Sequence, residues 1–379
     1  MRDLRNRGLI LHASIISFVQ AHEGSSALTA PQQHGNNPMK AIQLLGTGGI
    51  ERITSLLKLT ELPTPVPSDN EILVKVSACA VCHTELDEIE GRMPPPRLPV
   101  IPGHQVVGRV VQCGAGAKKF AVGESVGIAW INSACGECEF CLSGNENLCE
   151  RFVATGRDVD GGYADFMTVR EDFAYAIPPG LSDVDAAPLL CAGAIGYRSL
   201  RLTGLSNGQR LGLTGFGGSG HLVLKMARHL YPESGVFVFA RGEEERAFAR
   251  ELGAAWTGRV EDTPPEKLHC IIDTTPAWRP VVESLKNLES GGRLIINGIR
   301  KEERDKGELL RLDYAAHLWL EKEIKSVANV SRQDVREFLE LASRIPITPE
   351  TQKYSLSEAP RALRELKAGG VRGAKVLMV

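Results

Sequence analysis

Four cysteines stand within fifteen residues of this 379-residue chain: Cys135, Cys138, Cys141 and Cys149. Short spacers let one loop turn its thiolates toward a common centre, and four thiolates suit a tetrahedral zinc with no open position. Such a closed site is structural. A second candidate set, Cys82, His104 and Cys191, is scattered along the chain. Three ligands leave a fourth position on zinc free for chemistry. The remaining cysteines, Cys79, Cys113 and Cys270, lie in apolar runs and read as buried filler.

A third chemical signal is Gly215-Phe216-Gly217-Gly218-Ser219-Gly220-His221, a G-x-G-x-x-G pattern between an expected strand and an expected helix. Glycines there permit a tight turn and close approach of a pyrophosphate, which rests on the helix N-terminus. Gly215, Gly217, Gly218, Ser219 and Gly220 are therefore candidate cofactor residues. The following strand ends in Phe239-Ala240-Arg241-Gly242, with no carboxylate before Glu243. A small residue followed by arginine suits a ribose 2′-phosphate, because guanidinium pairs with phosphate through two parallel bonds. NADP is expected over NAD on this ground, against the simpler reading of Arg241 as a solvated loop charge.

The elements that must position these residues fall into two textures. From Met39 to about Pro188 the chain is rich in proline, glycine and short β-branched runs. Ile72, Val74 and Val76 alternate with polar neighbours as in a half-buried strand, and Val106–Val111 reads as another. This half is expected to be mainly β, a small barrel. After Cys191, strand and helix signals alternate, with strands at Leu211–Leu213, Val236–Ala240, Cys270–Asp273 and Leu294–Ile296. Such alternation implies a parallel, doubly wound α/β sheet. Two amphipathic helices follow Ser331, and Lys375–Val379 is the last expected strand.

Length implies two domains. Hydrophobic content of 43%, charged content of 24% and a formal net charge of -2 fit a soluble globular protein. That balance gives no reason to expect nucleic acid or a membrane as partner. Clustered cysteines in a chain of this size favour a reducing, cytoplasmic compartment. Arg2, Arg5 and Arg7 before Gly8–Ala21 loosely imitate a targeting peptide, but Asp3, His12 and Ser17 interrupt it. Residues 1–38 are expected to be a flexible extension, with order beginning at Met39.

Val81-Cys82-His83-Thr84, Pro102-Gly103-His104, the four-cysteine run, Gly161-Gly162-Tyr163-Ala164, Pro188-Leu189-Leu190-Cys191-Ala192-Gly193 and the glycine loop occur in that order. In these motifs the chain resembles the zinc-dependent medium-chain alcohol dehydrogenases from about Met39 to Val379. Gly103-His104-Gln105-Val106-Val107-Gly108 and Ser326-Val327-Ala328-Asn329 bring it nearest the bacterial propanol-preferring branch. The resemblance implies a GroES-like barrel over residues 39–193, with the four-cysteine lobe at 131–151. A Rossmann domain would cover 194–330, and 331–379 would return to the first domain. It implies two zinc ions, a small alcohol or aldehyde substrate, and a homodimer or homotetramer. Cys82, His104 and Cys191 correspond to the family's catalytic zinc ligands, and zinc acidifies the alcohol they receive. Thr84 corresponds to the hydroxyl that takes the substrate proton, and His83 to a pyrophosphate contact. Arg372 is a further pyrophosphate candidate. Asp273-Thr274-Thr275-Pro276, Asn297-Gly298-Ile299 and Val327-Ala328-Asn329 resemble segments bordering the cofactor. Of the tryptophans, Trp130 alone suggests a substrate wall, while Trp256, Trp278 and Trp319 read as core.

Three departures stand out. Glu85 replaces the aspartate that usually steadies the zinc-bound histidine. Asp87 replaces a histidine that commonly ends the proton relay, where a carboxylate could serve with a different pH dependence. Gln105 replaces a glutamate. They motivate a rival of another class, a dinucleotide-binding sensor or scaffold without turnover; within enzymes the alternative is a cinnamyl-type aromatic alcohol dehydrogenase.

Overall fold

The computed structural model describes residues 38–369 and 373–379. The expected extension, apart from Pro38, and the candidate Arg372 lie outside the described residues. Pro38–Leu44 forms a strand pairing antiparallel with Leu57–Pro63.

The β-branched runs of the first half build a seven-stranded sheet around Glu71–Val81. That strand pairs with Gln105–Cys113 along one edge, and with Phe166–Arg170 and Ala374–Met378 along the other. The C-terminal strand thus returns to the sheet begun at Glu71. The expected alternation holds for buried Ile72, Val74 and Val76 beside exposed Lys75, but Leu73 is enclosed as well, and from Ala78 to Val81 every side chain is buried.

The second half forms a six-stranded, all-parallel sheet in the order Trp256–Gly258, Val236–Phe239, Leu211–Thr214, Leu268–Asp273, Leu288–Ile296, Glu323–Ser326. Chain direction reverses across the sheet between Leu211–Thr214 and Leu268–Asp273. In open α/β sheets the crevice at the carboxyl ends beside that switch point is where ligands bind. Glu323–Ser326 was not anticipated, because all four of its side chains are exposed and no apolar alternation marks it.

One buried cluster joins Ala78, Ala80 and Val107 of the first sheet to Leu211, Leu213 and Ile272 of the second. Helix Asp183–Pro188, a π-helical turn Leu189–Gly193 and helix Ala194–Thr203 run through it as one continuous rod. Helix Arg332–Ala342 packs alongside, where fully buried Asp334 accepts from Arg198 and from Arg201 Nη1 at 2.8 Å. This rod carries Cys191 from the first sheet to the second. Cys79 and Cys270 are buried as expected; Cys113 is only half-buried, its Sγ 3.4 Å from Phe120 O.

Candidate active site

Strand Glu71–Val81 ends at Cys82, which caps helix His83–Ile89. Glu85 starts that helix, its Oε2 accepting from Cys82 N at 2.6 Å. The same carboxylate places Oε1 2.6 Å from His104 Nδ1. The longer arm therefore reaches the histidine, as an aspartate there would have to. His104 follows Gly103, whose φ of +98° and lack of side chain are both required: a Cβ there would lie 2.4 Å from the Tyr163 ring. Cys191 enters from the π-helical turn, a local distortion that recurs at functional sites. The ligand atoms of Cys82, His104 and Cys191 lie within 4.8 Å of one another. His104 Nε2 is buried without a partner, its other nitrogen being engaged by Glu85. An imidazole oriented this way beside two sulfurs is a fitting donor set for zinc. The Cys82 thiol is held well below its usual range by a hydrogen bond from Cys191, and also by His104, against the opposing effect of burial. The shared bond and burial push Cys191 up.

Cys135, Cys138, Cys141 and Cys149 form a second cluster within the same 4.8 Å limit. Cys138 N donates to Cys135 Sγ at 3.4 Å, and the Cys135 and Cys141 sulfurs are 3.7 Å apart. Amides of Glu137 and Cys138 bring Cys135 down to about 6. Four thiol groups with amide donors around them fit a closed zinc site.

Around the first cluster, Thr84 is nearly buried, with Oγ1 3.5 Å from Cys82 Sγ, whereas His83 is exposed. Asp87 is held as an anchor. Its Oδ1 accepts from Arg92 Nε at 2.6 Å and from Arg300 Nε at 2.8 Å. Arg300 lies past the fifth parallel strand, so this contact ties the helix carrying Thr84 to the other half of the chain. Arg92 also pairs with Glu90, and Glu90 with Lys367 at 3.0 Å. Sequence reasoning missed both arginines: Arg300 lies 213 residues from Asp87, and Arg92, only five residues on, stands past the end of the helix where no spacing rule marks a pair. Trp130 is buried against Phe152, their ring centroids 5.2 Å apart. Trp319 is exposed rather than core, and Trp256 and Trp278 are half-buried.

The glycine loop leads from Leu211–Thr214 into helix Gly218–Leu230. Gly215 has φ +82°, and a Cβ there would sit 2.6 Å from Thr274 Oγ1. A Cβ on Gly220 would meet Gly215 O at 2.8 Å, while one on Gly217 would meet nothing within 4 Å. The turn is thus crowded beneath and open above, a cradle for a pyrophosphate at the helix N-terminus. Ser219 Oγ donates to Ala192 O at 3.0 Å, so the loop abuts the residue beside Cys191. His221 Nδ1 lies 3.0 Å from Gly217 O and holds the turn closed. Arg241 is exposed at the end of Val236–Phe239; beneath it Arg246 Nη1 donates to Ala240 O and Arg241 O at 2.7 and 2.8 Å. At the switch point, buried Asp273 accepts from Thr214 Oγ1 at 2.6 Å and pairs with Lys301.

The model of the alcohol dehydrogenase GroES-like domain matches residues 68–179. A Mycobacterium tuberculosis protein described as "probable alcohol dehydrogenase AdhA" is 44% identical over 340 residues, 88% of this chain and 94% of its own. A cinnamyl alcohol dehydrogenase from Sorghum bicolor is 26% identical with a TM-score of 0.78, covering 90% of this chain and 98% of that one. A cobalt- and zinc-bound thermostable alcohol dehydrogenase from Pyrobaculum aerophilum shares the fold at TM-score 0.79 and 23% identity, covering 90% of this chain and 100% of its own.

Two expectations follow from the geometry. Glu85→Ala removes the histidine's orienting partner and should weaken metal retention at the Cys82 cluster by about 10–100-fold. Chelator competition measures this, with the four-cysteine metal as internal reference; equal retention in the variant would refute the role. His221 is pushed down to about 4, chiefly by burial. Between an unfolded pKa of about 6.5 and that value, the unfolded chain takes a proton that the folded one refuses, so stability falls as pH falls. The loss should reach about 3 kcal/mol near pH 4 and be absent above pH ~6.5. Denaturation midpoints between pH 7 and 4.5 should show a shallower slope for His221→Asn, whose amide can still donate to Gly217 O.

Proposed function

The chain belongs to the zinc-dependent medium-chain alcohol dehydrogenases, and from that premise we propose that it interconverts a primary or short-chain alcohol and its aldehyde with a nicotinamide dinucleotide. The observation that carries this reading is the approach of the Cys82, His104 and Cys191 ligand atoms to within 4.8 Å, next to a glycine loop bonded to Ala192. When bound, zinc supplies a Lewis acid that lowers the pKa of an alcohol hydroxyl, and nicotinamide supplies the hydride acceptor. Cys82, His104 and Cys191 would hold the catalytic metal, and Cys135, Cys138, Cys141 and Cys149 a second, structural one. Thr84 Oγ1 receives the hydroxyl proton and passes it outward, since a hydroxyl both accepts and donates. Asp87 Oδ1 is engaged by two guanidinium groups, which supports an anchoring role over a place in that transfer. Gly215, Gly217, Gly218, Ser219 and Gly220 seat the pyrophosphate, with His83, which is exposed, and the candidate Arg372 as further contacts.

NADP is the favoured coenzyme. Ala240 leaves no carboxylate for the adenosine ribose, Arg241 is free to meet a 2′-phosphate, and the nearest acid, Glu243, is paired with Arg246 and Arg250. A catalytic half from residues 39–193 and 331–379, enclosing a Rossmann half at 194–330, accords with the pairing of Ala374–Met378 and Glu71–Val81. Nine free cysteines support the cytoplasm as compartment, and no helix among the described residues is long and apolar enough to cross a membrane. The unpaired edge Glu323–Ser326, with exposed Leu310, Tyr314, Trp319 and Ile324, suits a second copy of the chain.

A cinnamyl-type preference is the second reading, favoured by the Sorghum bicolor structure. Steady-state rates with NADH and NADPH, against a short aliphatic and an aromatic aldehyde, separate the two. A zinc-loaded enzyme inactive on alcohols and aldehydes with either coenzyme would refute both. Arg241→Asp should cost NADPH about tenfold or more relative to NADH; an unchanged ratio removes the argument for NADP. Light scattering should find a dimer or tetramer that Ile324→Lys with Trp319→Glu dissociates, and a monomeric parent chain would exclude the edge as an interface.

A further inference from the structure

The four-cysteine lobe does more than fold upon itself. Between Cys141 and Cys149 the chain makes a short 3-10 turn, Glu146–Leu148, whose first two side chains are buried away from the sulfurs. Asn147 Nδ2 donates to Ala328 O at 2.7 Å. Glu146 Oε1 accepts from Arg332 N at 2.7 Å and from Arg332 Nε at 2.9 Å. Both partners lie in the segment that leaves the sixth parallel strand, Glu323–Ser326, and enters helix Arg332–Ala342. Glu146 is 2% exposed and stands at the N-terminus of an eleven-residue helix, where a carboxylate is favoured.

The segment between these contacts is also fixed by the burial of Val327 and Val330 and by Ser331, which caps the helix through Asp334. Val327 N donates to Ile296 O at 2.9 Å. Asn329 follows with φ +54°, a left-handed conformation uncommon outside glycine, and its Oδ1 accepts from Val330 N at 2.7 Å. A left-handed non-glycine residue persists when its surroundings over-determine it. Here the lobe supplies that constraint on one side, through Ala328 and Arg332. The segment emerges at the carboxyl end of the sheet, on the half holding the fourth to sixth strands. A pyrophosphate would rest on the turn after Leu211–Thr214, so the dinucleotide's other nucleotide half would lie across the switch point, over these three strand ends.

We propose that Glu146 and Asn147 are positioning residues through which the four-cysteine lobe sets the shape of the coenzyme wall at Val327–Val330, so that metal in the lobe and coenzyme in the cleft bind cooperatively. The proposal rests on the functional reading above. Its physical content is linkage. Metal binding to such a loop is folding free energy for the loop, and the turn Glu146–Leu148 is bracketed by two of the thiolates. Without metal the turn loosens, and Ala328 and Arg332 lose their partners. Coupling between two sites is reciprocal, so coenzyme must in turn retain the lobe's metal.

The test uses the zinc-loaded full chain. Coenzyme affinity is read from quenching of tryptophan fluorescence on titration with NADPH and NADH. Zinc release to a colorimetric chelator is followed with and without coenzyme. Asn147→Ala is the principal variant, with Glu146→Ala beside it. Glu139→Ala, an exposed position in the same lobe, serves as control. Asn147→Ala should weaken coenzyme binding about fivefold or more while retaining its zinc, and Glu139→Ala should not. In the parent chain coenzyme should slow release of the lobe's metal, and in Asn147→Ala that protection should shrink by the same factor. Coenzyme bound equally well by parent and variants, with lobe metal released at a rate indifferent to coenzyme, overturns the proposal alone. Failure of the parent chain to bind either coenzyme overturns the functional reading and this proposal with it. Should Glu146→Ala lose its metal on purification, its fluorescence titration still decides: unweakened coenzyme binding in a lobe without metal refutes the coupling.

Discussion

The site hangs on one carboxylate. Glu85 accepts from Cys82 N with one oxygen and lies against His104 Nδ1 with the other, both at 2.6 Å. The first contact starts the helix that carries Thr84, and the second turns the imidazole so that Nε2 faces the two sulfurs. A three-carbon side chain with no exposure can make both contacts only if strand Glu71–Val81, its helix and the turn at Gly103 are held in fixed relation. The tight packing at Gly103 against Tyr163 and Cys79 supplies that relation. Removing water from the carboxylate is costly, and the two donors offset that cost. An isolated glutamate would not remain buried there.

The same constraint reaches the cofactor loop through Cys191. Its π-helical turn opens the helix that packs on Gly218–Leu230, and Ser219 bonds the carbonyl of the next residue. Metal ligand and phosphate cradle therefore share a backbone segment, and a shift in one must move the other. Between the two halves, ion pairs add to the shared buried cluster and the Asn147–Ala328 bond: Asp87 with Arg300, and Glu146 with Arg332. Packed backbone fixes distances to tenths of an ångström, whereas partly exposed ion pairs tolerate adjustment and are screened by salt. The division suits a protein whose two halves must hold chemistry rigidly within each contact and still admit a large ligand between them.

How much of this was legible depended on sequence distance. The four-cysteine cluster was readable because its ligands fall within one loop, and the glycine turn because strand, turn and helix are contiguous. Convergence of Cys82, His104 and Cys191 was readable only through the family resemblance, since nothing in their spacing brings them together. The period of Glu71–Val81 was readable through Ile72, Val74 and Val76, whereas the continuous burial from Ala78 to Val81 leaves no period to read. The exposed edge Glu323–Ser326 concealed itself for the opposite reason, having no buried face at all. Asp87 was read as a possible relay terminus from its position, but Arg300 has no local signature, so its role as an anchor emerges only with the fold. Trp319 shows the limit of a residue-type prior: a large aromatic side chain stands exposed beside the edge strand Glu323–Ser326.

The scaffold alternative turns on the same atoms. It drew its force from the altered residues around the metal set, above all Glu85. In the structure that substitution preserves the interaction it was thought to endanger, and adds a helix start. A chain released from turnover has no physical need to keep a histidine nitrogen buried and unpartnered between two sulfurs, because leaving such an atom without a partner costs about 1–3 kcal/mol. Neither does it need a hydroxyl held 3.5 Å from one of those sulfurs. A cation bound at that nitrogen would repay the first of these costs. The cluster is thus a set of groups whose individual burial is unfavourable and whose joint arrangement is favourable once a cation completes it.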